Sequence, residues 1–172
     1  MKLDDDDFKL FELPARQQQN RAHIDERWRA LQGEVHPDRF AAEGAAAQRV
    51  AMQWAVRVNE AYRRLKDPLQ RAAYLCELRG VPIDAEHNTA MPPAFLMQQM
   101  AWREALDETR DRPSVEALLG EVDDRERALW QDLQAALDER ADTVAAAQTV
   151  RSLMFVRRFR DDLERRIDKY DA

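Results

Sequence analysis

Among the side chains of this 172-residue chain that could do chemistry, one juxtaposition stands out: His36-Pro37-Asp38. An imidazole and a carboxylate two residues apart could act as a base with its orienting partner, cap a helix, or present two fixed polar contacts. Proline narrows the choice. Its ring locks its own φ and pushes His36 away from helical geometry, so both polar groups are held in a preset arrangement. For catalysis the trio is poorly equipped, because a general base needs a concave site and an orienting partner, and zinc needs three or four ligands. The other histidines, His23 and His87, have no metal-ligand spacing to His36. No catalytic residue, metal ligand or cofactor is therefore assigned. Two readings stay open from the tripeptide alone: a stop-and-start signal between helices with Asp38 as N-cap, or a rigid contact loop offered to a partner.

The elements on either side must position it. Before the tripeptide, Ile24, Trp28, Leu31 and Val35 follow one face of a helix. After it, Val50 or Ala51, Trp54, Val58, Ala61 or Tyr62, and Leu65 repeat that pattern. Two amphipathic helices joined by a short loop bury their stripes against each other, so the chain reverses at His36-Pro37-Asp38.

The surrounding sequence resembles the J domain, the part of co-chaperones that activates DnaK-like ATPase chaperones. Trp28-Arg29-Ala30-Leu31 precedes His36-Pro37-Asp38-Arg39-Phe40, then Val58-Asn59-Glu60-Ala61-Tyr62-Arg63-Arg64-Leu65 leads into Asp67-Pro68 and Arg71-Ala72-Ala73-Tyr74. This is the order and spacing of the J-domain motifs. Ahead of them, Phe8 to Arg16 looks like the first helix and turn of one subgroup, the HscB co-chaperones of iron-sulfur cluster assembly. The resemblance covers nearly the whole chain. It implies a J domain followed by a three-helix domain, with His36, Pro37 and Asp38 facing the chaperone and Arg27, Arg29 and Arg39 as nearby positive charges. One departure weakens that basic surface: Gly33-Glu34-Val35 fills the last turn before the loop, where many J domains are strongly basic. Gly33 also costs that helix roughly 1 kcal/mol relative to alanine.

Composition points to an all-α protein. The chain has four glycines and no sustained alternation of apolar and polar residues, which argues against sheet. Charged residues are interleaved in sign and sum to a net charge of −6, so there is no nucleic-acid footprint. The single cysteine, Cys76, excludes an internal disulfide and reads as a small buried residue. Asp4 to Asp7 read as a solvated start that favours the positive end of the first helix dipole. Residues 1–7 read as neither a signal nor a transit peptide and no apolar run is long enough to span a membrane, so the expected location is the bacterial cytoplasm.

Helix punctuation divides the chain into residues 1–79, a linker over 80–92, and a bundle over 93–172. Gly80 can cap a helix, Pro82 forbids its continuation, and Pro92-Pro93 closes a polar stretch. Three helices are expected at about Pro93 to Thr109, Ser114 to Glu139 and Thr143 to Tyr170, forming an antiparallel bundle.

The first of these helices has two apolar faces. Phe95, Trp102 and Leu106 share a narrow arc with Ala105 beside them, whereas Leu96, Met97 and Met100 centre about 150° away. In the last helix, Leu153, Val156, Leu163 and Ile167 share one side, while Phe155 and Phe159 lie toward the other. An exposed apolar patch rimmed by charge is what a protein-binding site looks like. An irregular bundle, or the J domain packing over this face, would explain the pattern as well. The family resemblance implies that this helix holds the IscU-type scaffold on which clusters are built. It places Leu96, Met97, Met100 and Phe155 at the apolar contacts and Arg103 and Glu104 at polar ones, although Met91 and Ala101 stand where the family can have charges. The expected whole is a non-enzymatic adaptor joining an HscA-type chaperone to an IscU-type scaffold. A J-domain co-chaperone with another client is the nearest rival, and a small helical hydrolase using His36 and Asp38 the remoter one. Leu96, Met97, Met100 and Phe155 are all expected to be exposed.

Overall fold

The computed structural model describes residues 1–172 and is helical throughout, without strands. The chain separates into two compact units, Met1–Leu75 and Cys76–Ala172.

The first unit is built on α2 (Arg21–Val35) and α3 (Ala45–Lys66). Asn20 opens α2 by accepting hydrogen bonds from the Ala22 and His23 amides, satisfying two donors that have no partner inside the helix. Ile24, Leu31 and Val35 of α2 and Ala51, Val58, Ala61 and Leu65 of α3 are buried, each large side chain contributing about 1.5 to 3 kcal/mol. The two alternatives left by the α3 periodicity resolve toward the smaller residue: Ala51 is buried and Val50 exposed, and Ala61 is buried while Tyr62 lies partly out. Polar side chains clasp the pair. Trp28 Nε1 and Gln32 Nε2 both donate to Asn59 Oδ1, at 3.0 and 2.5 Å. The Tyr62 ring stacks on Trp28 with centroids 4.6 Å apart, and its hydroxyl donates to Asp25.

The short α1 (Asp7–Leu10) corrects the expectation of a solvated aspartate run. Asp6 caps this helix, accepting from the Lys9 amide, but Asp7 is fully buried. Its carboxylate receives Arg57 Nη1 at 2.7 Å and Arg64 Nε at 2.6 Å, and its amide donates to the Tyr74 hydroxyl. Arg57 and Arg64 lie two turns apart on one face of α3, and a buried charge is tolerated only when paired in this way. Arg57 also donates to the carbonyls of Leu3 and Asp5, drawing the first residues along α3.

In the second unit, α4 (Pro68–Leu78), which begins in the first, closes at Gly80. Gly80 has φ +83°, its amide donates to Glu77 and the Val81 amide to Cys76, a pair of bonds that satisfies the last carbonyls of the helix. The segment after it, expected as a linker, is tied to the bundle: the buried Arg151 donates to the carbonyls of Ile83 and Ala90. Next come α5 (Pro93–Glu108), α6 (Arg112–Gln134), a single π-turn over Ala135–Glu139, and α7 (Thr143–Asp171). Asp111 and Ser114 form a reciprocal capping box at the start of α6. Arg160 of α7 reaches Asp123 and Glu126 of α6, and Arg112 pairs with Asp171.

Candidate functional site

Two surfaces carry the candidate residues, one in each unit. In the first, the backbone from Pro37 to Glu43 winds into a 3₁₀ helix, so the tripeptide opens a helical turn. The cap is His36, whose Nδ1 accepts from the Asp38 amide at 3.3 Å. Asp38 sits in the first turn, not at the N-cap position that the stop-and-start reading gave it. Both side chains stand in solvent, Asp38 at 90% exposure, with His36 Nδ1 and Asp38 Oδ2 3.6 Å apart. Such a pair is presented outward, and the cavity beside the turn, lined by Val35, Phe40, Ala47 and Trp54, includes neither His36 nor Asp38.

The three arginines assigned to this surface differ in their circumstances. Arg29 is exposed on α2. Arg27 is engaged internally, its Nε donating to the Phe11 carbonyl and its Nη2 pairing with Glu12 at 2.6 Å. Arg39 is exposed, yet its Nη1 donates to the Gly33 carbonyl at 2.7 Å. Asp25, on α2, is held below the usual carboxylate range by its hydrogen bond from Arg21 and, second, by the one from Tyr62. Asn59 has a positioning role that periodicity could not reveal, because a polar residue bonded across two helices looks like any other polar position. The buried Asp7 was hidden for the same reason, although Arg57 and Arg64 seven residues apart were a usable signal.

On α5 the arcs separate as expected. Phe95, Trp102 and Leu106 are buried, whereas Leu96, Met97 and Met100 are 43, 72 and 73% exposed. Arg103 and Glu104 are exposed beside them. Phe155 is the correction: it is only 5% exposed. The reason is that α7 is covered on two sides. Leu153, Val156 and Leu163 are buried on one of them, while Phe155 and Phe159 join Phe95 and Trp102 in a continuous aromatic cluster. A helix with neighbours on both sides buries two apolar faces, so periodicity alone could not tell a patch from a second core. Arg103 lies over the Phe155 ring at 5.4 Å and links that ring to the charged rim. Cys76, buried in the same unit, has its thiol pushed up to about 11 by burial.

Residues 91–164 match the family model described as the HSCB C-terminal oligomerisation domain. The chain is 51% identical, over all of its length and 99% of the relative's, to the co-chaperone protein HscB homolog of Burkholderia multivorans. It belongs to the HscB co-chaperone family. The HscB homolog of Bordetella petrii is 53% identical across 92% of this chain and 94% of its own. The chaperone HscB from Vibrio cholerae shares the fold with a TM-score of 0.80 and 33% identity, covering 96% of this chain and 99% of that one. Membership makes the chain a J-domain co-chaperone of the iron-sulfur cluster assembly class, whose chaperone partner is of the Hsp70 kind. No helix is long and apolar enough to cross a membrane.

Proposed function

We propose that this chain stimulates ATP hydrolysis in an HscA-type chaperone through His36-Pro37-Asp38 and delivers an IscU-type scaffold through the outer face of α5, acting as an adaptor and not as an enzyme, in the bacterial cytoplasm. The observation that carries the reading is the exposed apolar trio Leu96, Met97 and Met100 on a helix whose core face is already filled by Phe95, Trp102 and Leu106. Flexible methionines rimmed by Arg103 and Glu104 suit a protein partner, since such side chains adapt to the surface they meet. The polar turn supplies the other end. Asp38 is free to pair with a basic group of the chaperone, His36 adds a polar contact, and Arg29 is an exposed positive charge on the preceding helix, whereas Arg27 and Arg39 are engaged internally. Binding of the turn accelerates hydrolysis only by favouring the competent state of the ATPase, so the coupling is allosteric. Phe155 enters this reading as a support beneath Arg103, not as a contact.

The test uses two variants of the full chain. Asp38→Asn should fold normally and fail to stimulate the chaperone's ATPase. The triple change of Leu96, Met97 and Met100 to alanine should keep its stability, weaken scaffold binding in a titration by tenfold or more as expected of a hot-spot cluster, and retain stimulation. A triple variant that still binds the scaffold like wild type removes the delivery half and points to a different client. An Asp38→Asn chain that stimulates normally removes the chaperone half.

A further inference from the structure

We infer that Arg39 is a positioning residue of the His36-Pro37-Asp38 turn, supplying α2 with the hydrogen-bond donor that Pro37 removes. In an α-helix the carbonyl of residue i accepts from the amide of residue i+4. For Gly33 that donor belongs to residue 37, which lies past the extended cap His36 (ψ 126°), a conformation that proline imposes on its predecessor, and proline has no N–H besides. The rigidity that makes the tripeptide useful therefore leaves a backbone acceptor open in the last turn of α2. Arg39, two residues beyond the proline, folds back and donates Nη1 to the Gly33 oxygen at 2.7 Å.

Two further bonds knit the same turn: the Arg39 amide donates to the His36 carbonyl at 3.0 Å, and the Asp38 amide to His36 Nδ1 at 3.3 Å. With the guanidinium in place, the chain from Gly33 to Arg39 is closed at both ends, and Asp38 is the side chain left pointing into solvent. Charge favours the arrangement as well. The last turn of α2 has no basic residue of its own, so Arg39 is the cation that the negative end of that helix prefers. A guanidinium bound to Gly33 holds the turn in one orientation on α2, and the chaperone meets Asp38 already placed.

This inference rests on the proposed chaperone role of the turn, but its structural half is measurable on the free, full-length chain. Arg39→Ala should leave the thermal midpoint unchanged and speed pulse-labelled amide exchange at Asp38 and at position 39 by about two- to tenfold, the worth of one net hydrogen bond. In a Pro37→Ala background the restored amide at position 37 can serve Gly33, so adding Arg39→Ala should change that exchange little. With the chaperone present, Arg39→Ala should raise the half-saturating concentration by a similar factor, because only the ordered fraction engages. Weakened stimulation with unchanged exchange would make Arg39 a direct contact and overturn the inference. So would an exchange effect of equal size with and without Pro37, or faster exchange with unaltered stimulation. Normal stimulation by Asp38→Asn would instead sink the chaperone reading, a separate result from any of these.

Discussion

At the scale of single residues, burial decides what a reactive group can do. Cys76 is enclosed, and with its thiol pushed up to about 11 the nucleophilic thiolate is scarce at neutral pH. The folded chain should therefore resist a thiol-alkylating reagent at pH 8 and react stoichiometrically in denaturant, and rapid labelling of the native protein would contradict the structure. The sign of the linkage follows from the raised value. The folded state holds the proton more tightly than the unfolded chain, whose thiol titrates near 8.5, so this contribution is intact below that pH and lost as pH rises toward about 11. Denaturant midpoints measured from pH 8 to 11 should fall, and by less in Cys76→Ala. Phe155 makes the opposite point about legibility. Its angular position is legible in the sequence and its exposure is not, because angular position on a helix says where a side chain points and not whether another helix waits there.

At the scale of elements, helix ends were the most legible features. Gly80 and Pro93 announce boundaries by local chemistry, and α4 closes and α5 opens there, whereas α6 opens at Arg112, two residues ahead of the expected Ser114, because Pro113 fits the first turn of a helix. The ion cluster around Asp7 is harder to read: the seven-residue spacing of Arg57 and Arg64 marks a shared face of α3, but their partner lies some fifty residues away and no local pattern records which carboxylate it is. Asp7→Ala should cost about 3 kcal/mol, since it takes from Arg57 and Arg64 the buried carboxylate they share and leaves Arg57 only the Leu3 and Asp5 carbonyls; a denaturation midpoint equal to wild type would show the cluster to be incidental. Gly33 offers a gain in the other direction. It lies inside α2, and a Cβ there would meet nothing within 4 Å. Gly33→Ala should stabilise the first unit by about 0.5 to 1 kcal/mol, read as an increase in the thermal midpoint. The aromatic cluster sets the contrast on α5: Trp102→Ala should cost about 3 to 5 kcal/mol, while Met97→Ala should cost little.

At the scale of the whole molecule, the two candidate surfaces lie in different units, and their value depends on sharing one chain. Joining two binding ends turns the second encounter into an intramolecular one, with an effective concentration on the order of millimolar. A mixture of Asp38→Asn chains and chains lacking the apolar trio should therefore fall well short of wild type in scaffold-dependent ATP hydrolysis at micromolar protein, although each surface is present in the tube. Full recovery by the mixture would mean that linkage contributes nothing. Gly80 and Pro82 suggest a division over 80–92, while the compact units divide between Leu75 and Cys76, and the binding of Ile83 and Ala90 by Arg151 is not legible at all, because a buried arginine serving backbone carbonyls leaves no periodic trace. The buried aspartate of α1 also has a consequence for the order in which the protein is made. Asp7 leaves the ribosome long before Arg57, Arg64 and Tyr74, so it must wait, hydrated, for most of the first unit to be synthesised. Because that unit is a continuous stretch ending at Leu75, it can then close before the bundle exists, at synthesis rates of about 5 to 20 residues per second. The nascent chain thus has the J unit complete several seconds before the helix that carries Leu96, Met97 and Met100 has neighbours to pack against.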